Sequence, residues 1–140
     1  GQAMSRKEPE IRLREMQDVF EVQNHSWNLH EYGERRGCLR RRGEDETRYE
    51  TLLREDTEQT QTLITDAGLP APTCYTYPFG ACSKESETLL KSLGFRCTLG
   101  CEERVNIVTR NPDCLFELGR FNRPAGQSTE RFLHRALGED

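Results

Sequence analysis

At 140 residues the chain has room for one compact domain and not for two ordinary ones. Hydrophobic residues make up 34% and charged residues 31%, so buried apolar area per residue is modest, and marginal stability or a partner subunit is expected. The net charge of −4 argues against a nucleic-acid binder driven by bulk charge. No apolar run approaches a membrane span, and the N-terminus lacks the basic-then-apolar layout of a signal peptide, so the expectation is a soluble chain, cytoplasmic by default and not associated with a membrane. GQAM before Ser5 looks like a cloning remnant, which leaves residues 6–140 as a single domain.

In chain order, Pro9 followed by IRLREMQ reads as a helix opening at proline. VFEVQ concentrates β-branched and aromatic residues. Its alternation predicts a strand with Phe20 and Val22 on one face and Glu21, Gln23 and His25 on the other. Glu31 to Gly43 carries three glycines and five arginines and is read as a loop. Its first reading is a solvated, mobile connection neutralised by Glu44, Asp45 and Glu46. Its second is a patch for an anionic polymer, although no aromatic platform interleaves the arginines.

Tyr49, Leu52, Leu53, Leu63, Ile64 and Ala67 recur at helical spacing, predicting a long helix from Glu46 to Asp66 that Gly68 and Pro70 stop. Its polar middle predicts a position on the outside of the domain. TCYTY then reads as a strand, PFGACS as a turn, and KESETLLKSLG as a helix capped by Ser83, with Leu89, Leu90 and Leu93 inward and Gly94 closing it. FRCTL, ERVNIVT and CLFELGRF are shorter strand candidates, and STERFLHRAL is a last helix from Ser128 to Gly138. Strand and helix alternating through proline and glycine is the pattern of parallel βα units, which makes the fold class α/β. The six cysteines form no CxxC pair and are read as reduced thiols in or near the core.

His25 and His30, in EVQNHSWNLH, are candidate metal ligands. Residues five apart diverge on a helix and point to opposite faces of a strand. They converge only if the chain turns just after Asn24, at the carboxyl end of a parallel strand, where α/β proteins place their sites.

The NHSWNLH segment resembles the H-[S/T]-x-x-x-H metal segment of the polysaccharide deacetylases, the NodB-homology domains of carbohydrate esterase family 4. Tyr77-Pro78-Phe79-Gly80 is similar to the YPYG variant of that family's proline-aromatic turn, and the resemblance runs from about Ile11 to Arg123. It implies a distorted (β/α) barrel in which two histidines and an aspartate hold zinc or another divalent ion. That ion polarises an N-acetyl carbonyl and activates a water. Carried over by position, His25 and His30 are the ligands and Ser26 holds the loop. The backbone N–H of Phe79 faces the oxyanion, and Tyr77 and Phe79 line an acetyl-sized pocket beside Pro78. Trp27 reads first as a packed core aromatic and second as a sugar contact. Arg120 aligns loosely with a late family strand and reads either as a residue near the site or as a rim ion pair.

Nothing in the chain matches the family's TFDDG segment, which supplies the general base and the third ligand. Asp18, Asp45 and Asp66 stand in other contexts, and His134 reads as a surface helix residue. The expectation is therefore a partial barrel lacking its first strands, with activity impaired or absent. An N-acetylated glycan would be its substrate or ligand, and a homodimer would cover the open edge. The alternatives are a noncatalytic binding or oligomerisation module that keeps the fold, and an anionic-polymer binder using the arginine loop.

Overall fold

A computed structural model describes residues 8–138; residues 1–7, including the GQAM segment, lie outside the described part. Helix α1 spans Glu8–Glu15, α2 Glu46–Asp66, α3 Lys84–Ser92 and α4 Thr129–Leu137; strands β1 and β2 are Cys74–Thr76 and Cys97–Leu99. The strands pair in parallel with α3 between them in sequence, the βαβ unit that the alternation predicts. Isolated parallel bridges flank the pair, Asn24 on Tyr75 and Leu99 on Leu118. Four extended segments thus lie side by side as an open array, and no closed barrel forms among the described residues.

The helix termini follow local chemistry. Asp45 caps α2 by accepting the Arg48 N–H at 2.9 Å, and Ser128 caps α4 by accepting from Arg131 at 3.2 Å. Ser83 precedes α3 and donates its own N–H to the Ser86 hydroxyl at 3.0 Å. Gly138 closes α4 in the left-handed conformation, φ 69°.

One hydrophobic cluster joins α2, β1 and α3 to the arginine loop: Cys38, Tyr49 and Leu53 meet Tyr75, Tyr77, Leu89, Leu90 and Phe95. Tyr75 and Tyr77 reach the same face because they are two residues apart in extended chain. Their rings meet edge-on with centroids 5.5 Å apart. Tyr49, at the start of α2, donates its hydroxyl to the Cys38 carbonyl at 2.6 Å, tying the arginine loop to the helix after it.

Four expectations are corrected. VFEVQ is not a strand, because the amides of Val19 and Phe20 turn back to the Met16 carbonyl at 3.0 and 2.8 Å after α1. The side chain of Gln23 then takes over as a ladder, its Oε1 accepting from Thr73 and Cys74 at 2.9 and 2.8 Å. ERVNIVT pairs with nothing as a strand; the Asn106 side-chain amide exchanges two hydrogen bonds of 2.8 Å with the Gly119 backbone instead. CLFELGRF begins as a 3-10 turn, Pro112–Leu115, and contributes only the bridge at Leu118. The middle of α2, polar in sequence, faces inward, burying Asp56 and Thr57 along with Tyr49, Leu53 and Ile64.

In the arginine loop, Arg35 pairs with Glu44, Arg40 with Glu46 and Glu85 at 3.2 and 3.0 Å, and Arg41 with Glu34 at 2.7 Å. Most of its positive charge is met within the chain. All six cysteines are free thiols, and among the described residues no helix is long and apolar enough to cross a membrane.

Candidate metal-binding site

The chain leaves the sheet edge at Asn24, which is fully buried. Its backbone is held by β1 on both sides, its N–H donating to Cys74 at 3.2 Å and its carbonyl accepting from Thr76 at 2.9 Å. Its side-chain amide donates to the Thr57 carbonyl at 3.1 Å and to Gln61 at 3.2 Å, both on α2. Beyond Asn24 the backbone turns, and four successive amides each find a side-chain oxygen. Ser26 N–H donates to Asn24 Oδ1 at 2.9 Å, Trp27 and Asn28 to the two carboxylate oxygens of Asp56 at 3.0 and 2.7 Å, and Leu29 to Ser26 Oγ at 3.2 Å. Ser26 takes a left-handed φ of 69°, disfavoured for a residue with a Cβ and held here by these bonds.

This turn returns His30 to His25, with ring centroids 5.0 Å apart and planes at 59°. His25 Nδ1 lies 2.7 Å from the Thr76 carbonyl oxygen. Because a carbonyl only accepts, Nδ1 carries the proton and the Nε2 lone pair is left for a ligand. Two imidazoles on one tetrahedral ion, at metal–nitrogen distances of about 2.1 Å, have ring centres about 5 Å apart, so the separation fits a shared divalent cation. Among the described residues no group of three or more histidine, cysteine, aspartate or glutamate side chains is placed to hold a metal. The described residues thus bring two candidate donors together, His25 and His30.

The facing wall is the 3-10 turn Pro78–Gly80, set down by β1 after Tyr77 donates its N–H to the Leu99 carbonyl at 2.9 Å. Pro78 is buried beneath it, and Phe79 stands at φ 56° with its ring 4.3 Å from His30 and 5.3 Å from Tyr32. The amide of Phe79 sits in the first turn of this short helix, where N–H groups lack an intrahelical acceptor. Beside the aromatic group runs a cleft of about 360 Å³ lined by Glu31, Tyr32, Gly33, Arg35, Arg36 and Phe79.

Of the residues singled out in the sequence, His25, His30, Ser26, Pro78 and Phe79 come together here. Tyr77 does not reach the cleft; its ring is fully buried in the core, because the strand alternation that brings its backbone to the turn sends its side chain inward. Trp27, expected first in the core, is 51% exposed. Arg120 is exposed and donates to Cys101 Sγ at 3.2 Å, a cysteine that packs against Gly80 of the turn. His134 is exposed on α4.

Sequence patterns did not single out Asp56, and they marked Asn24 only as the place where the chain turns, not as the anchor of that turn. Asp56 is 9% exposed, and burial raises its carboxyl above the usual range while the N–H groups of Trp27 and Asn28 pull it back. The sole hint in the sequence is the odd position of an acidic residue one turn after Leu53.

The polysaccharide deacetylase family profile matches residues 1–98, and the chain belongs to that family. Two solved structures share its fold. The BpsB deacetylase domain from Bordetella bronchiseptica is 22% identical, with a TM-score of 0.60 over 79% of this chain and 47% of that one. A de-N-acetylase from Aggregatibacter actinomycetemcomitans is 15% identical, with a TM-score of 0.66 over 89% of this chain and 51% of that one. The chain thus spans about half the length of the structures it resembles. Among curated proteins, none matches the sequence.

Proposed function

We propose that this domain is a metal-dependent de-N-acetylase module for N-acetylated polysaccharides, in which His25 and His30 hold a divalent ion, zinc by preference. The convergence of the two imidazoles at 5.0 Å beside Phe79 carries the reading. Such an ion would supply Lewis-acid polarisation of an amide carbonyl and would lower the pKa of a bound water toward neutrality. The chain's own groups orient what binds. Thr76 fixes the His25 ring through Nδ1, the Ser26 turn sets the spacing of the pair, and the Phe79 amide would be the donor to the oxyanion that develops on the acetyl carbonyl oxygen. The Phe79 and Tyr32 rings offer a sugar an apolar face next to that point. Catalytic zinc sites typically use three protein donors, so two make an open, weak site, and unaided activity of this chain is expected to be low. A second copy covering the exposed Val19 and Phe20 and the open side of the array at Asn24 would form a homodimer, and a donor from that copy would complete the site.

A second reading is favoured by the lack of a three-residue donor group among the described residues: a noncatalytic module that keeps the fold and binds glycan. Calorimetric titration with zinc separates the two. Stoichiometric binding by the wild type, lost in His25→Ala and His30→Ala, with acetate released from an N-acetylglucosamine oligomer, supports the first. Absence of zinc binding in the wild type overturns it in favour of the second.

A further inference from the structure

The most heavily buried carboxylate in α2 is held by backbone amides. Asp56 lies in mid-helix, 9% exposed, and both its oxygens are taken by consecutive N–H groups, Trp27 at 3.0 Å and Asn28 at 2.7 Å. Burying an ionised carboxylate is costly unless hydrogen bonds replace its water, and two charge-assisted N–H donors in succession offset part of that cost. A residue placed only to pack would be apolar here, as Leu53 is one turn earlier and Ile64 two turns later on the same inward face. The segment secured by the two bonds is the one between His25 and His30.

The neighbouring positions of α2 act on the same segment. Thr57 offers its carbonyl and Gln61 its Oε1 to the Asn24 side chain, whose own oxygen holds the Ser26 amide. Gln61 in turn donates to the Pro72 carbonyl at 3.1 Å, just ahead of β1. One face of α2 therefore clamps the histidine turn from below, and the sheet carbonyl of Thr76 fixes the His25 ring from the side. Within this clamp the Trp27 and Asn28 amides rest on Asp56.

We infer that Asp56 is the positioning residue of the histidine pair: its carboxylate, by chelating the Trp27 and Asn28 amides, sets the separation of the two imidazoles and with it the affinity for a divalent cation. The inference rests on the proposed metal role of His25 and His30. Asp56 touches neither the ion nor substrate; it acts through the backbone. An asparagine at this position keeps one oxygen for one amide and turns an NH2 group toward the other, so one of two donors is left facing a donor.

The test uses the full chain and cobalt(II) or zinc as probe. Asp56→Asn is expected to weaken cation affinity by about ten- to a hundredfold, the loss typical when a group behind a metal ligand is removed. Asp45→Ala serves as control, since it removes the cap of the same helix and lowers stability without touching the turn. It should leave affinity within about twofold of wild type once measured well below its melting temperature. Trp27 is the only tryptophan, so its fluorescence and its quenching by acrylamide report the turn without any metal. Both should change in Asp56→Asn and not in Asp45→Ala. Equal affinity and unchanged fluorescence in Asp56→Asn overturn the assignment while leaving the metal site standing. A loss of affinity shared equally by Asp45→Ala also overturns it, because general destabilisation would then suffice. If the wild type binds no cation, the proposed function falls and this positioning role falls with it. If Asp56→Asn fails to fold, Asp56→Glu, which keeps the charge and displaces the carboxylate by one methylene, is expected to fold and to show the same directional loss; wild-type affinity there counts against the inference.

Discussion

The Nδ1 of His25 sits 2.7 Å from the carbonyl oxygen of Thr76, the last residue of β1. A strand carbonyl would ordinarily serve the next strand, but the ladder on this side has ended at Asn24, and the imidazole takes the remaining acceptor. The bond selects one tautomer before any ligand arrives. Long-range proton–nitrogen correlation spectra, recorded above the range in which imidazole titrates, should show His25 protonated at Nδ1. A resonance pattern with the proton on Nε2 would leave no lone pair directed away from the sheet and would remove His25 as an Nε2 donor.

The hydroxyl of Tyr49 donates to the Cys38 carbonyl at 2.6 Å and lies 3.0 Å from Ser83 Oγ, joining α2, the arginine loop and the cap of α3 at a buried point. Tyr49→Phe keeps the ring and orphans a buried acceptor, which costs about 1–3 kcal/mol. Thermal denaturation followed by circular dichroism should show a midpoint lowered by roughly 3–10 °C. An unchanged midpoint would mean that water replaces the bond and that the junction is not sealed.

Much of this arrangement could be read in advance, and the parts that could not share a cause. The bounds of α2 and the Ser83 and Ser128 caps result from side chains acting on their own neighbours, and the Gly138 stop from a backbone free to turn left-handed. The order of NHSWNLH and TYPFG carried the family. Asp56, Thr57 and Gln61 are different, because periodicity scores apolar residues and these bury polar groups whose partners lie some thirty residues away in a turn. VFEVQ failed for a related reason: β-propensity describes fit to a sheet, and the amides of Val19 and Phe20 are consumed by the end of α1 before a sheet is reached. In ERVNIVT the alternation is genuine but Val105, Ile107 and Val108 face solvent, and one asparagine side chain replaces the ladder.

Gly37 stands at φ 55°, and a Cβ there would collide with the Pro78 carbonyl oxygen and approach the Ala81 backbone oxygen to 3.2 Å. Backbone rather than a flexible side chain fills the space, so the turn carrying Phe79 would have to move. Gly37→Ala should cost about 1–3 kcal/mol from the left-handed backbone, with more from the collision, and should weaken cation binding by displacing the wall beside His30. Gly43 is the internal comparison: it too has positive φ, 76°, but nothing lies within 4 Å of its Cβ position. Gly43→Ala should cost about 1–2 kcal/mol and leave binding intact. Equal effects of the two substitutions on cation affinity would show that strain, and not contact with the Pro78 turn, governs the site.

Acid stability should depend on Glu44. The Arg35 guanidinium beside it holds its carboxyl below the ordinary value of 4.5, with the Arg41 backbone N–H adding in the same direction against the opposing effect of burial. Between the lowered folded value and 4.5, the unfolded chain binds more protons at this position than the folded one, so stability rises with pH there. The contribution is fully present above the unfolded value and is lost as pH falls through the folded one. Asp56 runs the other way: burial raises its carboxyl, so its charge opposes folding increasingly as pH climbs from the ordinary aspartate value through the raised one. Glu44→Gln should therefore lower stability at neutral pH and flatten its decline on the acid side. The two proteins should converge below the folded pKa of Glu44, where the wild-type carboxyl is also neutral. Urea denaturation midpoints collected from about pH 3 to pH 7 test this directly, since the slope of stability against pH counts the proton difference. Parallel curves for the two proteins across that range would mean that the Arg35 pair, although well enclosed by the loop, leaves the proton affinity of Glu44 unchanged on folding.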